Sequence, residues 1–216
     1  MRFADRADAG RRLGRALLSY RDRDPVVLAL PRGGLPVAAE IATALAAPLD
    51  VVLVRKIGAP GQPELAMGAL VEGEPPTVAR NQAIISAAGV DERAFAAATQ
   101  RARAELEEAR RRFVGDRRRV AIAGRAAILV DDGVATGATA LAALQAIRRR
   151  GVKTLTLAVP VASREALAEL RGEADDLVCL EAPVLFGAVS MFYADFGQVE
   201  NDEAVAILAR FSPTAP

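Results

Sequence analysis

The sequence predicts an α/β fold built on a central parallel sheet flanked by helices. Three observations point to it. Wholly or nearly apolar runs such as Pro25–Leu30, Leu49–Val54 and Ala126–Val130 recur along the chain, as expected of strands buried on both faces. These runs end in Gly-rich or charged stretches rather than in two-residue hairpin signals. Helical periodicity then follows several of them, and βα alternation of this kind builds parallel sheets.

Composition narrows the class. With 216 residues the chain is long enough for one domain with a full core. Half of it is apolar and a quarter charged, ordinary for a globular enzyme, and a net charge of +1 gives no argument for nucleic acid or membrane. The single cysteine, Cys179, excludes a disulfide framework and reads as a buried free thiol. The absence of histidine removes Ser/His, Cys/His and His-metal chemistry together. Residues 1–15 are charged and lack the apolar core of a signal peptide, and no apolar stretch approaches the ~20 residues of a membrane span. The expectation is a cytoplasmic protein.

Asp5 to Tyr20 reads as an amphipathic helix with Leu13, Leu17 and Tyr20 on one face. Pro25–Leu30 is a central strand that ends in Pro31-Arg32-Gly33-Gly34 before a helix to about Ala46. The Gly pair lets backbone approach a ligand closely, and Arg32 places a cation beside it. Leu49–Val54 is a second strand closing in Arg55-Lys56, two cations on the rim where α/β folds bind ligands. Ala59 to Gly68 is rich in Gly and Pro, which predicts an irregular, flexible loop, with Glu64 its one ionisable group. Ala69–Val71 and Thr77–Ala79 suggest a short hairpin, with Arg80 and Asn81 after it facing the site. Asp91 opens a long helix to about Phe113, whose apolar face is Phe95, Ala98, Ala102, Leu106, Ala109 and Phe113. The Arg117-Arg118-Arg119 run that follows reads as a solvated face. Val152–Pro160 and Asp176–Leu180 are the last core strands, with Ser163 capping the helix between them, and Asn201 or Asp202 caps the final helix.

The chain is organised around Ile128 to Thr139. An apolar strand ends in Asp131 and Asp132, then turns through Gly133-Val134-Ala135-Thr136-Gly137-Ala138-Thr139 into a helix. Glycines, hydroxyls and a helix start make an anion cradle suited to a phosphate. The carboxylates would repel that phosphate, so they face sugar hydroxyls or a ligand-held metal. A phosphate at the loop and diol acceptors one step earlier describe a ribose 5-phosphate. No Gly-Lys-Ser/Thr follows the loop, which excludes a Walker-type site.

Val130-Asp131-Asp132-Gly133-x-x-Thr136-Gly137-x-Thr139 resembles the phosphoribosyl pyrophosphate motif of type I phosphoribosyltransferases. The resemblance implies that Gly133 to Thr139 hold the 5-phosphate while Asp131 and Asp132 hold the ribose hydroxyls. It implies that Arg32, Gly33 and Gly34, with Arg55 and Lys56, hold the pyrophosphate. It makes Ala59–Gly68 a catalytic loop in which Glu64 serves as proton acceptor or holds a metal-bound water. Phe192, Tyr193 and Phe196 would belong to a hood that stacks the base. The implied organisation is a single domain over 1–216, with a core at about 25–180, an inserted loop and helix at 58–118, and a hood at 183–200. The implied reaction moves a 5-phosphoribosyl group from phosphoribosyl pyrophosphate to a small nitrogenous base with Mg²⁺ as cofactor, with a homodimer left open. Two departures bear on the base. Hypoxanthine-guanine enzymes carry an acid where Ala135 stands, and orotate enzymes carry a loop histidine. A regulator that senses phosphoribosyl pyrophosphate or a nucleotide and binds RNA, and an interaction partner of a separate hydrolase, are the alternatives.

Overall fold

Five parallel strands form the central sheet in the order β2-β1-β6-β7-β8, where β1 is Pro25–Ala29, β2 Leu49–Val51, β6 Ala126–Val130, β7 Thr154–Val161 and β8 Asp176–Glu181. The computed structural model describes residues 2–73 and 75–211, and of Glu64 the backbone alone. Every residue of β1 and β6 is buried, because helices cover both faces and alternate side chains serve alternate cores. Val27, Ala29, Ile128 and Val130 pack with Leu13 of α1 (Arg6–Ala16) and with Leu35 and Ile41 of α2 (Gly34–Leu45). Val26, Leu28, Ala127 and Leu129 pack with Leu144 and Ile147 of α5 (Ala138–Arg149) and Leu170 of α6 (Arg164–Leu170).

The chain leaves β1 toward β2 on one side and leaves β6 toward β7 on the other. The boundary between β1 and β6 is therefore the topological switch point, where open α/β sheets form a crevice at their strands' C-terminal ends. Both the Gly33-Gly34 turn and the acid pair lie at that boundary.

A second, antiparallel sheet is inserted between β2 and β6: β3 (Val54–Ala59), β4 (Gln62–Val71) and β5 (Thr77–Arg80). This corrects the expectation of an irregular stretch at 59–68. Ala59 pairs with Gln62 across Pro60-Gly61, and Gly61 takes φ +74°, the value required after proline in a type II turn. Gly68 leaves room where a Cβ would lie 2.2 Å from the Ala79 carbonyl oxygen of β5. The Gly and Pro content thus encodes a tight turn and a close strand approach. The expected short hairpin is present as the β4–β5 pairing, Val71 opposite Thr77 and Ala69 opposite Ala79.

Helix α3 (Gln82–Ala87) and the long α4 (Glu92–Phe113) follow, α4 capped by Asp91 and burying the six residues of its expected apolar face. The first helix ends at Ala16, before the expected Tyr20, and a 3-10 turn carries Tyr20 into the core. The final helix α7 is Asn201–Arg210 and its N-cap is Glu200, not the expected Asn201 or Asp202, which lie within its first turn. Cys179 is a free, half-buried thiol whose Sγ donates to the Glu181 carbonyl oxygen at 3.1 Å.

The arginine run after α4 is structural in two of its three members. Asp50 at the end of the first sheet is fully buried and accepts from Arg117 and, at 2.8 Å, from Arg119 Nε. Arg119 also grips both oxygens of Glu72, at 2.7 and 2.8 Å, and so ties the second sheet to the first. Among the described residues no helix is long and apolar enough to cross a membrane.

Candidate active site

The phosphate-type loop is held by its neighbours rather than by its own side chains. Val134 is buried and bonds edge-on to the next strand: its amide donates to the Val161 carbonyl oxygen and its own carbonyl accepts from Ser163, both at 2.9 Å. The Ser163 hydroxyl donates to the Ala135 carbonyl oxygen at 2.7 Å while it accepts from the Ala166 amide and caps α6. Gly137, at φ +80°, starts α5 without a side-chain cap, so the first amides of that helix are available to an anion. Thr136, Ala138 and Thr139 are exposed around it.

One step earlier, the Asp131 carboxylate accepts from the Asp132 amide at 2.9 Å. Burial pushes the Asp131 carboxyl well above the usual carboxylate range, and the Asp132 charge beside it adds to the rise. Burial raises Asp132 too, against the opposing pull of the Arg6 guanidinium. Arg6 Nε donates to Asp132 Oδ2 at 2.7 Å, its Nη1 donates to the Gly197 carbonyl oxygen at 2.6 Å, and its guanidinium carbon lies 3.8 Å from the centre of the Phe196 ring. Gly33 and Gly34 pack directly on the acid pair. A Cβ on Gly33 would lie 2.1 Å from Asp132 Oδ2, and one on Gly34 would lie 2.7 Å from the Val130 carbonyl oxygen.

The expected site residues divide into three groups. Asp131, Asp132, the Gly133–Thr139 loop and the Arg32-Gly33-Gly34 turn come together at the switch point. The Pro31–Arg32 peptide bond is cis, and Arg32 Nη1 stands 3.5 Å from Asn201 Oδ1. Lys56 reaches a cavity of about 570 Å³ that it shares with Asn81, Thr136, Thr139 and Gln145.

Arg55 and the aromatics are placed otherwise. Strand alternation sends Arg55 to the opposite face of β3 from Lys56. There it faces Glu105 and Glu108 of α4, with Nη1 on its own Val54 carbonyl at 2.8 Å, and burial lowers its pKa. Arg55 therefore does not join the pyrophosphate turn. Arg80 likewise turns to α4, lying over the Phe95 ring and pairing with Glu92. Tyr193 is 1% exposed, wedged between Phe3 and Phe196, so neither of its ring faces is open to a base. Its hydroxyl donates instead to the Asp132 carbonyl oxygen at 2.5 Å, which makes it a support of the acid pair. Phe192 is half-buried against Phe186, and Phe196 carries Arg6 on its face. The Glu64 side chain lies outside the described residues.

Sequence reasoning missed Arg6, Ser163 as a loop anchor, and Gln145. The cap signal at Ser163 was visible. Nothing in the local pattern of Arg6 links it to residues more than a hundred positions away.

Residues 5–195 match the family profile described as phosphoribosyl transferase domain. TT1426 from Thermus thermophilus, known from its crystal structure, is 42% identical; the match covers 98% of this chain and 100% of that chain with a TM-score of 0.82. Two Mycobacterium tuberculosis proteins, MT0597 and Rv0571c, provisionally named phosphoribosyl transferases, are each 46% identical over 208 residues, 96% of this chain. The chain spans about half the length of these curated relatives, 46% of each. With a match of that extent and a relative alike over both whole lengths, the chain belongs to the phosphoribosyl transferase domain family.

Proposed function

We propose that the chain transfers a 5-phosphoribosyl group from phosphoribosyl pyrophosphate to a nitrogenous base and releases pyrophosphate. The observation that carries this reading is the juxtaposition at the switch point. An anion loop (133–139), a carboxylate pair one step before it and a glycine turn in contact with that pair match, in order, the 5-phosphate, diol and pyrophosphate of one ligand. The chemical problem is charge, since pyrophosphate departs carrying it while the sugar becomes cationic. Fixed donors aimed at the leaving group are often the largest catalytic term, and removing one such donor costs about 3–4 kcal/mol of barrier. Gly33 and Gly34 backbone and the Arg32 cation meet the pyrophosphate, and the α5 amides with Thr136 and Thr139 meet the 5-phosphate. The acid pair accepts from the ribose hydroxyls, oriented by the Tyr193 hydroxyl and the Asp132 amide.

The donor set suits a Mg²⁺ carried in on substrate oxygens and water, which is how this cation usually binds beside phosphates. Among the described residues no three His, Cys, Asp or Glu side chains are grouped to hold a metal. When bound, Mg²⁺ supplies charge neutralisation to the departing pyrophosphate.

The test is calorimetric titration of wild type and of Asp131→Asn/Asp132→Asn with phosphoribosyl pyrophosphate and Mg²⁺, followed by a base screen for pyrophosphate release. Micromolar binding by wild type and none by the double variant is expected. A well-folded wild type that binds nothing sinks the reading.

A further inference from the structure

We infer that Arg6 is a substrate-binding residue that moves from Asp132 to the pyrophosphate when the ligand enters. The inference rests on the transferase reading above and adds a residue from outside every loop that reading uses.

The geometry is specific. Arg6 sits in the first turn of α1, far in sequence from the acid pair, with its side chain 12% exposed and facing an Asp132 side chain 14% exposed. The Asp132 oxygen that accepts from Arg6 Nε is the same Oδ2 against which Gly33 packs. The guanidinium and the pyrophosphate turn are therefore neighbours around one atom. Phe196 forms a flat bed for the guanidinium plane and Gly197 fixes one end of it, which aims the fork while leaving donors over. Of the five N–H groups of a guanidinium, two are engaged, and the others carry no hydrogen bond among the described residues.

Stability does not account for this arrangement. A desolvated ion pair is typically no better for stability than an apolar pair of the same volume. Catalysis does account for it. With Arg55 turned to α4, Arg6 is a guanidinium beside the 31–34 turn that can join Arg32, Lys56 and Mg²⁺ in offsetting the charge of a departing pyrophosphate. A planar fork matches phosphate oxygens two at a time.

Two arrangements follow. Without ligand, Arg6 partners Asp132 and keeps the acid pair from being two uncompensated carboxylates. With ligand, the ribose hydroxyls donate to Asp132 and the phosphate oxygens take the guanidinium.

The experiment compares wild type, Arg6→Lys and Arg6→Met by calorimetry with three probes: phosphoribosyl pyrophosphate with Mg²⁺, inorganic pyrophosphate with Mg²⁺, and ribose 5-phosphate. Thermal melting checks that each variant is folded. Arg6→Met is expected to weaken the two pyrophosphate-bearing probes about 10- to 100-fold and ribose 5-phosphate less than about 3-fold, with Arg6→Lys in between. Equal weakening of all three probes would mean that Arg6 only seats Asp132, and unchanged binding would mean that it does neither; each overturns the inference while the transferase reading stands. Failure of wild type to bind any pyrophosphate-bearing probe overturns both. A shift of the Arg6 Nε resonance in the ¹⁵N spectrum on adding pyrophosphate, but not ribose 5-phosphate, is the independent sign expected of the move.

Discussion

Asp131 is held in a state that costs the fold stability. Its carboxyl is buried beside Asp132, so the native state keeps its proton to a higher pH than the unfolded chain does. Linkage then has a definite sign: a raised carboxyl destabilises the native state once ionised, and stability returns as pH falls from above the native value toward the ordinary 3.8. Asp131→Asn removes that penalty and still accepts from the Asp132 amide. The variant is expected to melt higher than wild type at pH 8, by about 2–4 °C for each kcal/mol relieved, and the gap should close as pH approaches 4. A difference that does not change with pH would refute the account. The same substitution should abolish binding of phosphoribosyl pyrophosphate, a trade between stability and function expected where like charges are gathered for a ligand. This part of the site was legible in the sequence because its residues are contiguous, from Val130 to Thr139. Arg6 and Tyr193, which orient the same carboxylates, come from the two far ends of the chain and carry no local signal.

Between strand and helix, the turn at 31–34 works because two positions lack a Cβ. Gly34→Ala sets a methyl against the Val130 backbone oxygen, which cannot yield without moving β6. Gly33→Ala meets the Asp132 carboxylate, which can yield by rotating. The two variants should therefore separate. Gly34→Ala should lower the urea midpoint of unfolding by more than Gly33→Ala does, while Gly33→Ala should lose Mg²⁺-phosphoribosyl pyrophosphate affinity at least tenfold. Equal loss of stability in both would mean that Asp132 is as fixed as backbone. Strands and helices of the core were readable from apolar runs and 3.6-residue spacing. The β3–β4 hairpin was not, because Gly58, Pro60, Gly61 and Pro63 spell irregularity when counted as composition. They spell a type II turn only when Ala59 is known to pair with Gln62. Arg55 fell to the same cause. Once 54–59 is a strand, adjacent residues part to opposite faces, and the expected cation pair is divided between them.

Across the whole molecule, one buried network fastens the inserted sheet to the main one. Arg119 spans Asp50 of β2 and Glu72 beyond β4, and Arg117 completes the cluster. Burial acts against ionisation of Asp50, but the Arg119 and Arg117 guanidiniums and the Val120 amide hold its carboxyl below the usual range. A depressed carboxyl contributes stability that is present above about pH 4 and is lost as pH falls through its native value. Arg119→Ala leaves two buried carboxylates short of a partner and is expected to cost about 3–5 kcal/mol, read from urea unfolding at pH 7. The variant should also show less acid sensitivity below pH 4 than wild type, and an unchanged acid limb would count against the network as its source.

The pairing of β1 with β6 has a further consequence, for the order of folding. Pro25 to Ala29 lie alongside Ala126 to Val130, about a hundred residues later, and every residue of the inserted sheet and of α3 and α4 is made in between. During synthesis β1 can gain β2 on one edge while its other edge waits, an open ladder of the kind that recruits stray strands. Pairings so distant in sequence form slowly. The two loops that would share one ligand therefore meet only after more than half of the chain has been made, and a nascent chain halted before β6 carries a glycine turn without its acid pair.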